Sequence, residues 1–227
     1  MPKIIVRSFC PEHVEQMAQL QRICFPSVPS QDLSSPEEFM HIYEVFPQGT
    51  FVALDGGRVV GMASGLYVDF DFTHPLHTIT DITGLDGYSN HNPQGEYYYG
   101  TDICVHPDYR GQGIASMLYA ARKELVRRDN KKGIIAGGFL PGYAKYKDTM
   151  PAPDYVARVI TGRLFDPTLS FQLKQGFVVL GMLPNYMMVR ASNGWATLIY
   201  WLNLDYTAPE PIPFELPVSM KREMATV

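Results

Sequence analysis

The chain has 227 residues, 46% of them hydrophobic and 19% charged, with a formal net charge of -4. That is enough apolar material for one large domain, or one domain with sizeable insertions. The mixed, mildly acidic charge leaves no basic face for nucleic acid, and no apolar run approaches the ~20 residues that cross a membrane. Three cysteines, Cys10, Cys24 and Cys104, are too few and too scattered for a disulfide framework. They fit a reducing compartment, and Met1 to Phe9 reads as a short strand and not as a leader. A soluble, cytoplasmic protein is the expectation.

Lys3 to Arg7 alternates about Ile4, Ile5 and Val6 and predicts a strand. Pro11 suits a first helical position, and Val14, Met17, Leu20 and Cys24 recur along one helical face. Ser35-Pro36-Glu37-Glu38 then supplies a capping serine, a first-turn proline and the glutamate of a capping box. Strands Thr50 to Leu54 and Val59 to Val68 flank Asp55-Gly56-Gly57 as a hairpin. Residues 69–95 have no sustained period and form a long insertion, either a lid or an excursion. His74, His77 and His91 lie there among Asp69, Asp71, Asp81 and Asp86; His74-x-x-His77 lacks the second ligand pair of a zinc site, so no metal is expected.

A strand from Glu96 to Val105 enters a glycine-rich turn, and an amphipathic helix follows. Its apolar side is Ile114, Met117, Leu118, Ala121 and Leu125, with Arg122, Lys123, Arg127 and Arg128 mostly facing solvent. Gly133 to Phe139 is a strand, residues 140–163 are a second insertion, and a short helix from Asp166 ends at Gly176. Strands are expected at Phe177 to Leu180, Met187 to Arg190 and Trp195 to Trp201. The order is that of a mixed α/β or α+β layered domain over 1–207, and 208–227 reads as a proline-rich tail.

The chemistry concentrates in Ile103-Cys104-Val105-His106-Pro107-Asp108-Tyr109-Arg110-Gly111-Gln112-Gly113-Ile114-Ala115. A strand runs into a glycine turn that opens a helix, where unpaired amides and the helix dipole make an anion site. A nucleotide P-loop would need Lys-Ser or Lys-Thr where Ile114-Ala115 stands. A dinucleotide fingerprint would need a strand-end acid about 20 residues on; none falls there.

Arg110, Gly113 and Ala115 resemble the Arg/Gln-x-x-Gly-x-Gly/Ala motif of the GNAT acetyltransferase superfamily, and the element order resembles its fold. The resemblance implies a mixed, mostly antiparallel sheet of about seven strands flanked by helices, with strands four and five splayed. It implies acetyl-CoA as acyl donor, held by Ile103, Cys104, Val105, Arg110, Gly111, Gln112, Gly113, Ile114, Ala115 and Ser116. More narrowly, Tyr99-Gly100-Thr101-Asp102, Pro141-Gly142-Tyr143 with Lys145-Tyr146, and Gly176-Phe177 leading to Leu183-Pro184-Asn185-Tyr186 resemble the GNAT domain found fused to carbon–nitrogen hydrolases.

The family implies direct attack of an amine on the thioester in a ternary complex. Asp102 resembles the acidic position that serves some members as base; a hydrogen-bonded strand aspartate without a role is the competing reading. The N–H of Cys104 or Val105 is implied to polarise the thioester carbonyl. Gln172 stands where many relatives place an acidic tyrosine, so Tyr143 and Tyr146, with Tyr155 beside them, are the candidate acids, against ordinary packing. A small-molecule amine is the expected acceptor and a homodimer a possible assembly. Gln172 keeps open a catalytically inactive acyl-CoA sensor or partner subunit.

Overall fold

The computed structural model describes residues 4–85 and 87–209; Asp86 and the tail from residue 210 lie outside the described residues. Thirteen principal elements follow in chain order: β1 (Ile5–Ser8), α1 (Val14–Cys24), α2 (Pro36–Val45), β2 (Phe51–Asp55), β3 (Arg58–Val68), α3 (Ile79–Thr83), β4 (Tyr97–Val105), α4 (Ile114–Arg128), β5 (Gly133–Phe139), α5 (Ala152–Ile160), α6 (Leu169–Lys174), β6 (Val178–Leu183) and β7 (Ala196–Leu202).

The strands form one sheet in the order β1-β2-β3-β4-β5-β7-β6. Every neighbouring pair is antiparallel except β4 and β5, which are parallel. This is the mixed, mostly antiparallel seven-stranded sheet that the family resemblance implies. One strand departs from expectation: Met187 to Arg190 is irregular, and β6 runs on to Leu183 instead. The turn through Asn185 and the close of the backbone at Gly194 take up the residues between β6 and β7.

Two cores sandwich the sheet. Strand alternation explains the partition, because consecutive side chains point to opposite faces. Tyr98 joins Leu118, Tyr119, Leu125 and Val126 of α4 on one face. Tyr99 joins Met17, Leu20, Phe39 and Ile42 of α1 and α2 on the other. Each large apolar side chain fully buried this way contributes about 1.5–3 kcal/mol relative to exposure. α2 starts as its sequence dictates: Ser35 accepts from the Glu38 N–H at 3.2 Å, and the Glu38 carboxylate accepts from the Ser35 N–H at 2.7 Å.

The first insertion folds back onto the sheet. His91 stacks on Phe46 with ring centroids 4.3 Å apart, and its Nδ1 accepts from the Tyr67 N–H at 3.1 Å. Burial and the Lys131 charge press the His91 pKa down to about 4, so the ring stays neutral there. The Ile79 N–H donates to the Tyr186 carbonyl at 3.0 Å, tying the insertion to the loop after β6.

Candidate active site

β4 and β5 pair only from Tyr97 opposite Gly133 to Gly100 opposite Ala136. Beyond that point they part, leaving residues 101–105 without a strand partner on the β5 side. A bulge against β3 falls at the same place, where Ser64 faces Asp102 and Gly65 faces Gly100. Bulges re-aim side chains beside sites, and here the extra residue is Thr101. Its hydroxyl meets Ser64 Oγ at 3.1 Å and the Tyr88 hydroxyl at 2.5 Å.

One cavity, of about 870 Å³, opens at the end of β4. Gly111 and Gly113 turn the chain with φ of 76° and 82°, a region side-chain-bearing residues seldom enter. A Cβ on Gly113 would meet nothing within 4 Å, so backbone conformation and not space calls for glycine. No side chain caps α4, so its first-turn N–H groups are free for an anion. Ile103, Cys104, Val105, Arg110, Gly111, Gly113, Ile114, Ala115 and Ser116 all line this cavity. Gln112 does not; its amide turns back toward the Asp108 carbonyl at 3.5 Å. Arg110 Nε donates to the Val105 carbonyl at 3.2 Å, which holds the guanidinium at the mouth. Phe139, Leu140, Phe165, Phe171 and Val189 form apolar walls opposite. The donor set fits a CoA: amides and a guanidinium for pyrophosphate, apolar walls for the pantetheine arm.

A second cavity, of about 580 Å³, lies on the α1–α2 side. Gln21, Asp32, Leu33 and Glu38 line it, with Thr78, Ile79, Leu85 and Tyr88 from the insertion and Tyr186, Met187 and Met188 from the loop after β6. Asp102 lines it too. The two cavities share Phe25, Val28, Ile103, Tyr119, Phe139, Thr168 and Gln172, so they meet where β4 and β5 part.

The Asp102 carboxylate accepts a hydrogen bond from Gln21 Nε2. Burial lifts its pKa above the usual carboxylate range, opposed by that bond and by the Arg122 charge. Arg122 does not face solvent as expected. It is 2% exposed and donates to the Ser64 carbonyl at 2.6 Å and to the Asp102 carbonyl. Its guanidinium lies 5.7 Å from the ring centres of both Tyr98 and Tyr119. The i, i+4, i+8, i+11 spacing of Ile114, Leu118, Arg122 and Leu125 is the sequence signal for this placement.

Tyr143 and Tyr146 are not brought to either cavity. The Tyr143 hydroxyl donates to the Met150 carbonyl at 2.7 Å, and Tyr146 packs on Tyr155 with centroids 5.3 Å apart. Tyr155 in turn donates to Asp166 at 2.9 Å. Gln172 is buried and shared by both cavities; its Nε2 donates to the Tyr119 hydroxyl at 3.4 Å, while its Oε1 has no partner. The phenols that line the second cavity are Tyr88, Tyr119 and Tyr186, and Tyr186 lies over Gly137, where any Cβ would overlap its ring. Gln21 does not stand out in sequence, because it meets Asp102 from 81 residues away; Tyr186 stands out only as the end of the Leu183-Pro184-Asn185-Tyr186 resemblance.

The three insertion histidines go to separate partners: His74 to Asp71 at 2.8 Å, His77 to the Tyr99 hydroxyl at 2.7 Å, and His91 to the Tyr67 backbone. Among the described residues, no helix is long and apolar enough to cross a membrane.

A seven-stranded sheet parted between β4 and β5, with a glycine turn opening α4 at the gap, is the arrangement of the acetyltransferase (GNAT) family, whose family model matches residues 14–138. The chain belongs to that family. It is 41% identical over 206 residues to the "Probable hydrolase YhcX" of Bacillus subtilis (strain 168), a match covering 90% of this chain but only 39% of that protein. It is 33% identical over 204 residues to the "Uncharacterized N-acetyltransferase YkwB" of the same strain, covering 89% of this chain and 90% of that one. The solved GphF GNAT-like decarboxylase in complex with isobutyryl-CoA shares the fold, with a TM-score of 0.74 at 18% identity over 87% of this chain and 98% of that chain.

Proposed function

We propose that this chain transfers the acetyl group of acetyl-CoA to the amine of a small acceptor by direct attack in a ternary complex. The carrying observation is the meeting of the two cavities at Ile103, with Asp102 beside the junction. Acetyl-CoA, when bound, supplies the activated thioester. The first-turn amides of α4 and Arg110 hold its pyrophosphate, and the apolar walls align its arm. The N–H of Cys104 or Val105 polarises the thioester carbonyl. An amine of lysine-like pKa, about 10.4, arrives as ammonium. Asp102 removes a proton from it, and its raised pKa makes it a better-matched base than an ordinary carboxylate. The thiol of CoA is acidic enough to leave as thiolate, so no side chain is assigned as its acid. Asp32 and Glu38 at the acceptor wall favour a cationic substrate.

The test has two stages. Acetyl-CoA should raise the melting temperature saturably, by an amount matching about 2.7 kcal/mol at 100 times its dissociation constant. Thiol release from acetyl-CoA should then appear with members of an amine panel. Binding without release for every amine would sink the transferase reading and leave an acyl-CoA-binding protein.

A further inference from the structure

All three cysteines are free thiols, and two of them lie at the larger cavity. Cys24 is the last residue of α1, and Cys104 stands near the end of β4. Both line that cavity, and Cys24 packs on the apolar cluster that holds Cys104. Helix and strand periods bring them face to face. Residues three apart share a helix face, and residues two apart share a strand face. Gln21 of α1 reaches the Asp102 carboxylate. Three residues on, Cys24 comes to Cys104, two residues further along β4, and the two thiols hydrogen-bond. Cys10 lines neither cavity and sits beside His13, with Sγ 3.3 Å from Nδ1.

The surroundings make the two sulfurs unequal. Cys24 is partly exposed and Cys104 is buried. Cys24 Sγ lies 3.4 Å from the Val105 carbonyl, which also accepts from Arg110 Nε at 3.2 Å, so thiol and guanidinium meet on one oxygen. The Cys104 hydrogen bond lowers the Cys24 pKa; burial opposes it, Arg110 lowers it further, and the Asp102 charge raises it. Cys104 is held well above the usual thiol range by the same bond and by burial. A partly exposed sulfur beside a cation is the one that ionises and attacks, and its buried neighbour keeps a proton.

We propose that Cys24 is an oxidation site whose bond to Cys104 closes the donor cavity, an inference resting on the acyl-CoA reading of that cavity. The oxidant is hydrogen peroxide. The Cys24 thiolate attacks one peroxide oxygen: the S–O bond forms, the O–O bond breaks, and the leaving hydroxide takes up the proton that Cys24 gave up. The Cys104 sulfur then attacks the Cys24 sulfur. The S–S bond forms, the S–O bond breaks, and hydroxide leaves as water with the Cys104 proton. Two thiols and one peroxide give one disulfide and two waters, and a dithiol reverses the change by exchange. Reversible bonds of this kind are the ones found where thiols are otherwise kept reduced.

Closure follows from where the bond pulls. A disulfide draws two sulfurs from contact into bonding distance. Cys24 can then no longer donate to the Val105 carbonyl, and the chain after it moves with it. Phe25, Ser27 and Val28 line the donor cavity, and Phe25 and Val28 line the acceptor cavity as well. Oxidation therefore reshapes the wall where the two cavities meet. A donor filling that space resists the bond to the same degree that the bond resists the donor.

The experiment treats the whole chain with hydrogen peroxide and maps disulfides by peptide mass spectrometry. A Cys24–Cys104 crosslink should form, and dithiothreitol should remove it. Acetyl-CoA affinity should weaken at least about 10-fold in the crosslinked protein and recover on reduction. Saturating acetyl-CoA should in turn raise the reduction potential of the pair, by about 30 mV for each tenfold. Cys24→Ser should keep its own acetyl-CoA affinity through peroxide treatment, whereas Cys10→Ser should lose affinity as the wild type does. Cys104→Ser should stop at a sulfenic acid on Cys24, trapped by dimedone. Oxidised wild type without the crosslink, or crosslinked protein that binds acetyl-CoA as the reduced form does, would overturn the closure; both are read on the unaltered chain. If the reduced protein shows no melting shift with acetyl-CoA, the acyl-CoA reading fails and takes the closure with it, whether or not the crosslink forms.

Discussion

The donor cavity draws one wall from a single continuous stretch, Ile103 to Ser116, whereas the acceptor cavity gathers Gln21, Glu38, Tyr88, Asp102 and Tyr186 from widely separated parts of the chain. A contiguous wall works through backbone amides and two positive-φ glycines, and changes in the rest of the molecule barely touch it. A gathered wall works through side chains that meet only once the sheet, both helices and the insertion have packed. The first wall is thus set by one segment, and the second by several.

Arg122 ties α4 to β3 and β4 at the gathered wall, and removing it should have the largest effect. Arg122→Met strips a buried donor from the Ser64 and Asp102 carbonyls. Leaving such groups unpaired costs about 3 kcal/mol, a melting temperature lower by roughly 6–12 °C. A loss under about 2 °C by calorimetry would mean that the gathered wall holds without this bond.

Asp102→Asn should come next, separating chemistry from binding. Turnover at neutral pH should fall about 100-fold while the acetyl-CoA melting shift persists. Stability should move the other way. The folded pKa of Asp102 is raised, so its ionised form costs stability as pH rises through that pKa. The asparagine variant should therefore melt at or above wild type at pH 7, the two converging below the unfolded pKa of about 3.9. A wild-type pH–rate profile in this variant would move the base elsewhere.

Arg110→Ala tests the donor wall alone. Arg110 sits exposed at the mouth, so acetyl-CoA affinity should weaken about 10-fold, and less in high salt. Amine KM should hold, and a matching change there would show the two walls coupled. The smallest effects belong to Tyr143→Phe and Tyr146→Phe. Turnover should stay within about twofold, with at most about 1 kcal/mol of stability lost at Tyr143 for its bond to Met150. A large kcat loss in either would return these hydroxyls to the chemistry.

Local structure was legible in sequence because its causes are local. The Ser35–Glu38 capping box, the β2–β3 hairpin and the glycine turn before α4 each depend on neighbours a few residues away. Arg122 shows a subtler limit: its position lies on the apolar stripe of α4, yet its charge argues for solvent, and two backbone carbonyls across the sheet outweigh that. The Tyr99–Tyr186 hydrogen bond was illegible for a different reason. Tyr99 and Tyr186 are 87 residues apart, and only the pairing of β5 with both β4 and β7 brings them together. Met187 to Arg190 failed as a strand because β7 is already paired with β5 on one side and β6 on the other.

The parting of β4 from β5 also has a mechanical meaning. The two strands are stitched at four register positions, against seven between β5 and β7. The sheet is thus two plates joined at one end of a seam, and the larger cavity opens at the other end. A pantetheine arm inserted there, as proposed, would take the place of a missing strand and bear on both plates at once. Amide exchange at residues 101–105 and 137–139 should slow when the arm is in place, so filling the seam closes the sheet as well as supplying the acyl group.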